Sequence, residues 1–369
     1  MEIPLARPDI TEHEIQAVVS VLRTPHLSLG PKLGEFEHKI ASYAGVRYAI
    51  AVNSGTSALH LIVRALNLKE GDEVITTPFS FVASSNCLLF ERVTPVFVDI
   101  DPQTLNLDVR QIEAKITEKT RAILAVDVFG HPAEWDELER IARKYNLKLI
   151  EDSAEALGAE YKGRKAGSFG DAAVFAFYPN KQITTGEGGV ILTNSEELAQ
   201  LCRSLRNQGR GERDEWLQHQ RLGYNYRLSD INCALGIAQL ERLEEILKKR
   251  ERVAQMYNER LQNIKGVHIP YVAPHVKISW FVYVIRLGEE YTQVDRDRIL
   301  KELRARGIGC SNYFSPIHLQ PFYRALFGYK PGDFPVTESV AARTIALPFY
   351  NNLTEAQIDY VVETLKSLL

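Results

Sequence analysis

Residues 48–66 read YAIAVNSGTSALHLIVRAL, and this stretch decides the fold. YAIAV (48–52) is apolar without alternation, the pattern of a strand covered on both faces. Leu59, Ile62, Val63 and Leu66 then recur at helical spacing. The join, Asn53-Ser54-Gly55-Thr56-Ser57, is small and polar.

The same alternation continues outward from it. EVITT (73–77), PVFVDI (95–100), RAILAVDV (121–128), LKLIED (147–152), AAVFAFY (172–178) and GVILT (189–193) read as strands. Helices are expected at 82–91 and 134–146. Doubly apolar strands alternating with helices predict an α/β sheet with helices on both faces. Ligands of such sheets sit beyond the carboxyl ends of the strands.

Upstream, Thr11 to Glu14 form a capping-box pattern before an amphipathic run. Downstream, apolar residues at helical spacing from Ser229 to about residue 263 predict one long helix. At about 1.5 Å per residue such a helix can pass from one domain into the next. The boundary is therefore expected near 245, giving a large domain over 1–245 and a small α+β domain over 246–369. The latter contains a strand at 280–287 and helices at 294–306 and 354–368.

The 369 residues carry 44 Lys plus Arg and 47 Asp plus Glu, so 44 − 47 = −3. That balance offers no broad basic field to nucleic acid or anionic lipid, and neither partner is expected. No run approaches the roughly 18 apolar residues of a membrane span. The start, MEIPLARPDI, lacks a signal-type apolar run, so a cytoplasmic protein is expected. Cys87, Cys202, Cys233 and Cys310 are too scattered for a zinc cluster and read as reduced core thiols. No HExxH pattern occurs, and no catalytic metal is expected.

Three places could carry chemistry. The turn at Ser54-Gly55-Thr56 exposes N–H groups at a helix start, which suits a phosphate, although an ordinary cap by Ser54 would use the same residues. Asp152 ends an apolar strand at the ligand edge, where it could hold a proton on a ring nitrogen, form a salt bridge or cap a helix. Lys181 lies in FYPNKQITTGEGG; most lysines are solvated, but aromatic neighbours would desolvate this one, lower its pKa and let it attack a carbonyl. A phosphate cup, a carboxylate and a Schiff-base lysine together suit pyridoxal phosphate (PLP).

Here a resemblance becomes specific. NSGTSALHL, TTPFSFVASSN, EDSAEALGA, GRKAGSFGD, FYPNKQITTGEGG, GYNYRLSDINCALGIAQLERL and PIHLQPFY, spread over residues 3–365, resemble the DegT/StrS-type nucleotide-sugar aminotransferase family. Within it the chain looks most like perosamine-synthase-type enzymes. The resemblance implies PLP fold type I: a large α/β/α domain with a mostly parallel mixed sheet, and a smaller C-terminal α+β domain. It implies amino transfer from L-glutamate to C4 of a nucleotide-linked 4-keto-6-deoxyhexose, for a surface polysaccharide. A 3-keto sugar is the alternative. Dehydratases of the family replace the lysine with histidine, so Lys181 speaks against that chemistry.

The resemblance also assigns roles. Lys181 would carry the cofactor and shuttle the proton; Asp152 would pair with the pyridinium nitrogen. Gly55 and Thr56 would hold the phosphate, and Phe81 would stack on the ring. Asn225 would reach the phosphate of a neighbouring subunit, implying a homodimer with shared sites. Tyr313 and His318 would lie near the hexose, and Arg227 or Lys32 near the diphosphate. Two departures stand out. Ala176 replaces a serine that binds the phosphate in many relatives, and Glu155 stands where many have Gln or His near O3′ of the cofactor, although enzymes of the perosamine branch also show Glu there.

Overall fold

The computed structural model describes residues 2–211 and 218–369. In chain order its strands are β1 (Tyr48–Val52), β2 (Glu73–Thr76), β3 (Thr94–Phe97), β4 (Thr120–Val126), β5 (Lys148–Asp152), β6 (Glu160–Tyr161), β7 (Arg164–Lys165), β8 (Ala172–Ala176), β9 (Gly189–Thr193), β10 (Val267–His268), β11 (Val276–Lys277), β12 (Tyr283–Leu287) and β13 (Thr344–Leu347).

Seven of these form one mixed sheet in the order β1-β9-β8-β5-β4-β2-β3. β9 is antiparallel to both its neighbours, while β8, β5, β4, β2 and β3 pair in parallel. Running against β9, β1 therefore points the same way as β8. The carboxyl ends of six strands reach one edge, and β9 begins there at Gly189.

Both faces of this sheet are buried. Ile50, Leu124, Ile150 and Val174 pack under Leu59 and Ile62 of the helix Gly55–Ala65 and Leu205 of the helix Glu196–Arg206. Their neighbours Ala51, Phe175 and Val190 face Phe36 and Ile40 of the helix Pro31–Ala44. Ile123, Ala125 and Leu149 face Trp135, Leu138 and Ile141 of the helix Trp135–Tyr145. This is the helices-on-both-faces α/β sheet that the apolar runs predict.

A second core joins β12 and β13 to the helices Leu243–Leu261, Gln293–Ala305 and Glu355–Lys366. Ile3 lies in it too, through a bridge to Ile308. A third, short ribbon pairs β11 with β6 and β6 with β7.

Two local expectations need correction. The long helix breaks at Arg242 (φ −101°, ψ 5°) into Asp230–Glu241 and Leu243–Leu261. The Arg242 guanidinium there meets Glu14 at 2.7 Å and Asp9 at 3.4 Å, an anchor to the N-terminal segment that periodicity cannot reveal. The strand expected from 280 starts at Tyr283, because Arg250 takes the carbonyls of Trp280 and Phe281 out of the ladder. The capping box is present: Thr11 N–H donates to Glu14 Oε2 at 2.7 Å and His13 N–H to Thr11 Oγ1 at 3.3 Å. All four cysteines are buried free thiols. Among the described residues no helix is long and apolar enough to cross a membrane, and no metal-ligand cluster occurs.

Candidate active site

A cavity of about 600 Å³ opens at the carboxyl edge of the large sheet. Gly55, Thr56, Phe81, Asp152, Glu155, Lys181 and Tyr313 all line it. β1, β8 and β5 all end at this edge, with β9 between β1 and β8, and Tyr313, more than 250 positions from Gly55, closes the cavity from the C-terminal part of the chain.

The helix Gly55–Ala65 starts at this edge directly after β1. Ser54 caps it, its hydroxyl accepting from Ser57 N–H at 3.0 Å. The cap does not exclude an anion, since the N–H groups of Gly55 and Thr56 have no carbonyl one turn earlier to bond. A β-carbon on Gly55 would come 2.8 Å from that of Ala176, so the turn lies flat on the end of β8. On Gly189 it would come 2.6 Å from the Ser54 carbonyl group. Gly189 is thus needed for close approach of the turn to β9, a role beyond the chain reversal that the local glycine run suggests.

Asp152 is buried at the end of β5. Its carboxylate accepts from Ser84 Oγ at 2.7 Å and Ala154 N–H at 3.2 Å, and Ser80 Oγ lies 2.9 Å from Ser84 Oγ. Burial raises its pKa; those bonds and the Lys181 charge oppose the rise. Ser84 belongs to the TTPFSFVASSN motif, but nothing local in the sequence links it to a carboxylate 68 positions on.

Lys181 lies in the turn between β8 and β9, its side chain 13% exposed. Burial lowers its pKa, against the opposing charges of Glu155 and Asp152. Its Nζ lies 3.7 Å from Glu155 Oε1 and 4.0 Å from the centre of the Phe281 ring. The ring that the amine rests on is Phe281, 100 positions on in the chain. Glu155 is only 5% exposed; its other oxygen accepts from Phe129 N–H at 2.9 Å, and burial raises its pKa. Phe81 is 61% exposed at the cavity mouth.

His318 does not reach this cavity, which corrects the expected substrate contact. It is fully buried, bonds Glu338 through Nε2 at 3.0 Å and packs edge-on to Phe334 at 4.7 Å. Arg227 bonds Asn207 and Lys32 pairs with Glu35, and neither lines the cavity. Asn225 is exposed, paired as an isolated bridge to Asn207.

Such an edge, with an amine kept from water beside a buried carboxylate and a helix start, places the chain among pyridoxal-phosphate-dependent enzymes. The chain belongs to the DegT/DnrJ/EryC1/StrS aminotransferase family, whose profile matches residues 8–366. It is 41% identical to GDP-perosamine synthase of Caulobacter vibrioides, over 100% of this chain and 98% of that one. It is 36% identical to the spore coat polysaccharide biosynthesis protein SpsC of Bacillus subtilis, over 100% and 97%. Among solved structures, the putative sugar aminotransferase Spr1654 of Streptococcus pneumoniae in its PLP form superposes with a TM-score of 0.95 at 30% identity, covering 100% and 98% of the two chains. Its PMP form gives the same TM-score, with 99% of that chain covered. The chain is a PLP-dependent sugar aminotransferase.

Proposed function

We propose that this enzyme moves an amino group from L-glutamate to C4 of a nucleotide-linked 4-keto-6-deoxyhexose, for a surface polysaccharide. The observation that carries the transaminase chemistry is the Lys181 amine, half-buried in one cavity with Asp152 and the Gly55 turn. The full-length likeness to GDP-perosamine synthase supports the 4-keto sugar. We place the reaction in the cytoplasm and in a homodimer, where the exposed Asn225 is available to a second copy.

The donor set fits pyridoxal phosphate. The cavity offers an amine, a carboxylate and a helix start whose first residue has no β-carbon. Asn180 Oδ1, on a residue of the cavity wall, is buried without a partner. When bound, the cofactor supplies an aldehyde carbon that takes up the amino group and a ring that accepts electrons as the donor loses its α-proton.

The chain's own residues do the rest. Asp152, fixed by Ser84, would hold the ring nitrogen protonated. Gly55 and Thr56 would bind the phosphate through N–H groups and the Thr56 hydroxyl, without help from a hydroxyl at Ala176. Lys181, once its nitrogen is free, would take the proton from one carbon and return it to another, with Glu155 beside it to hold the charged amine. Phe81 would cover one ring face, and Tyr313 would face the hexose. Phe281 and Phe314 line the cavity and keep water from the amine.

The test is a panel of GDP-, UDP- and dTDP-linked 3-keto and 4-keto sugars with glutamate, with products identified by mass spectrometry and NMR. A 4-amino sugar is expected; turnover confined to 3-keto sugars would overturn the assignment.

A further inference from the structure

Arg250 is 3% exposed within the helix Leu243–Leu261. The charge that acts on it is that of Asp9, which is itself held by Lys249 at 3.0 Å and Arg242 at 3.4 Å. In place of a carboxylate, three backbone carbonyls accept from its guanidinium. Nη1 donates to Trp280 O at 3.3 Å and Phe281 O at 3.1 Å, and Nη2 donates to Lys181 O at 3.0 Å. Its Nε is buried without a partner. A guanidinium buried without an adjacent counter-ion is costly, so such a side chain stands out from the ordinary core.

The identity of the three carbonyls gives the position meaning. One is that of Lys181. Another is that of Phe281, whose ring rests 4.0 Å from the Lys181 amine. Gln182 makes a parallel tie, donating to Glu155 O at 2.6 Å and contacting Ser279 Oγ at 3.0 Å. The guanidinium thus spans the backbone of the lysine and the backbone of the aromatic that the amine leans on. A planar fork presents donors on separate nitrogens at fixed separation; an ammonium offers its three donors from one nitrogen on a flexible stem.

We propose that Arg250 is a positioning residue: its fork fixes the Lys181 backbone against the Phe281 segment and so sets where the Lys181 amine stands in the cavity. The proposal rests on Lys181 being the amine that takes up the cofactor. Arg250 itself touches neither cavity nor substrate.

Two variants of the full-length enzyme test it. Arg250→Lys keeps the charge and loses the fork; Arg250→Met keeps the apolar stem and loses both. Both are expected to fold, by melting curve, and to bind pyridoxal phosphate. In both, kcat falls by about tenfold or more, the scale of a misplacement near 1 Å, while KM for the amino donor stays within about threefold. In the cofactor-free chain, labelling of Lys181 by a small amine reagent, read by peptide mass spectrometry, changes severalfold while the exposed Lys115 does not. Wild-type kcat and Lys181 labelling in Arg250→Lys would overturn the proposal. Failure of both variants to fold would also overturn it, by assigning Arg250 to folding. Borohydride reduction of wild-type holoenzyme is the control. If it leaves Lys181 untagged, the reading of Lys181 has failed, whatever Arg250 does.

Discussion

Gly130 follows β4 in a tight turn, with φ +86°. Replacing it with alanine would place the new β-carbon 1.8 Å from Ser279 O, 2.8 Å from Ser279 C and 3.0 Å from Glu155 O. A left-handed conformation costs a residue with a β-carbon about 1–2 kcal/mol. Moving the Ser279 oxygen merely from 1.8 to 3.0 Å demands a 1.2 Å retreat. That breaks the bond from Ser279 N–H to Gly130 O at 3.0 Å, worth about 1 kcal/mol. It also loosens the Gln182 tie and the Phe129 N–H that holds Glu155. We expect Gly130→Ala to lose about 3 kcal/mol or more in denaturant unfolding, and to bind pyridoxal phosphate more weakly in a spectral titration. Gly163→Ala is the control: its φ is +80°, yet its β-carbon would meet nothing within 4 Å. It carries only the conformational cost of about 1–2 kcal/mol. Equal losses in the two variants would refute the close-approach reasoning.

Glu155→Gln removes the anion 3.7 Å from the Lys181 amine, so the pH midpoint of Lys181 labelling in the cofactor-free chain should fall; an unmoved or higher midpoint counts against the pairing. Ser153 has one hydroxyl hydrogen for two buried carboxylates, Asp127 at 2.7 Å and Glu151 at 2.5 Å, so one of the pair keeps its proton. Burial pushes Asp127 up to about 6 and holds Glu151 well above the usual carboxylate range. Folded-state values above the unfolded ones mean that the folded chain binds extra protons, so this contribution is fully present below the unfolded pKa, near 4, and is lost as pH rises through the folded values. Glu151→Gln should therefore lose more stability relative to wild type at pH 4 than at pH 8, and a loss that grows with pH would contradict the shared proton. Gly55→Ala pushes against Ala176 and should weaken pyridoxal phosphate binding by about tenfold or more, about 1.4 kcal/mol; an unchanged affinity would remove this turn from the phosphate site.

The sheet was legible because its strands bury both faces. Residues 48–52, 121–126 and 172–176 read as apolar runs for the same reason that their side chains alternate between two layers of helices. Lys181, Asp152 and the Gly55 turn were legible because each sits where a strand ends, and strand ends converge on one edge. What stayed hidden came from long-range contacts. Phe281 reaches Lys181 across 100 positions, and Ser84 reaches Asp152 across 68. No periodicity marks either. The break at Arg242 and the late start of β12 likewise trace to arginines bonded to distant segments, Arg242 to Asp9 and Glu14 and Arg250 to Trp280 and Phe281. His318 illustrates the opposite error. A histidine in a suggestive loop is instead a fully buried partner of Glu338, enclosed by Tyr329 and Phe334.

The most direct measurement of the central claim is to incubate the purified chain with pyridoxal phosphate, reduce it with borohydride and map the adduct by peptide mass spectrometry. A protein that turns yellow with the cofactor, bleaches on reduction and then carries the reduced cofactor on Lys181, and a Lys181→Ala variant that keeps its melting curve but carries none and forms no amino sugar, is the predicted result. An adduct on another lysine, or wild-type turnover by Lys181→Ala, would contradict it.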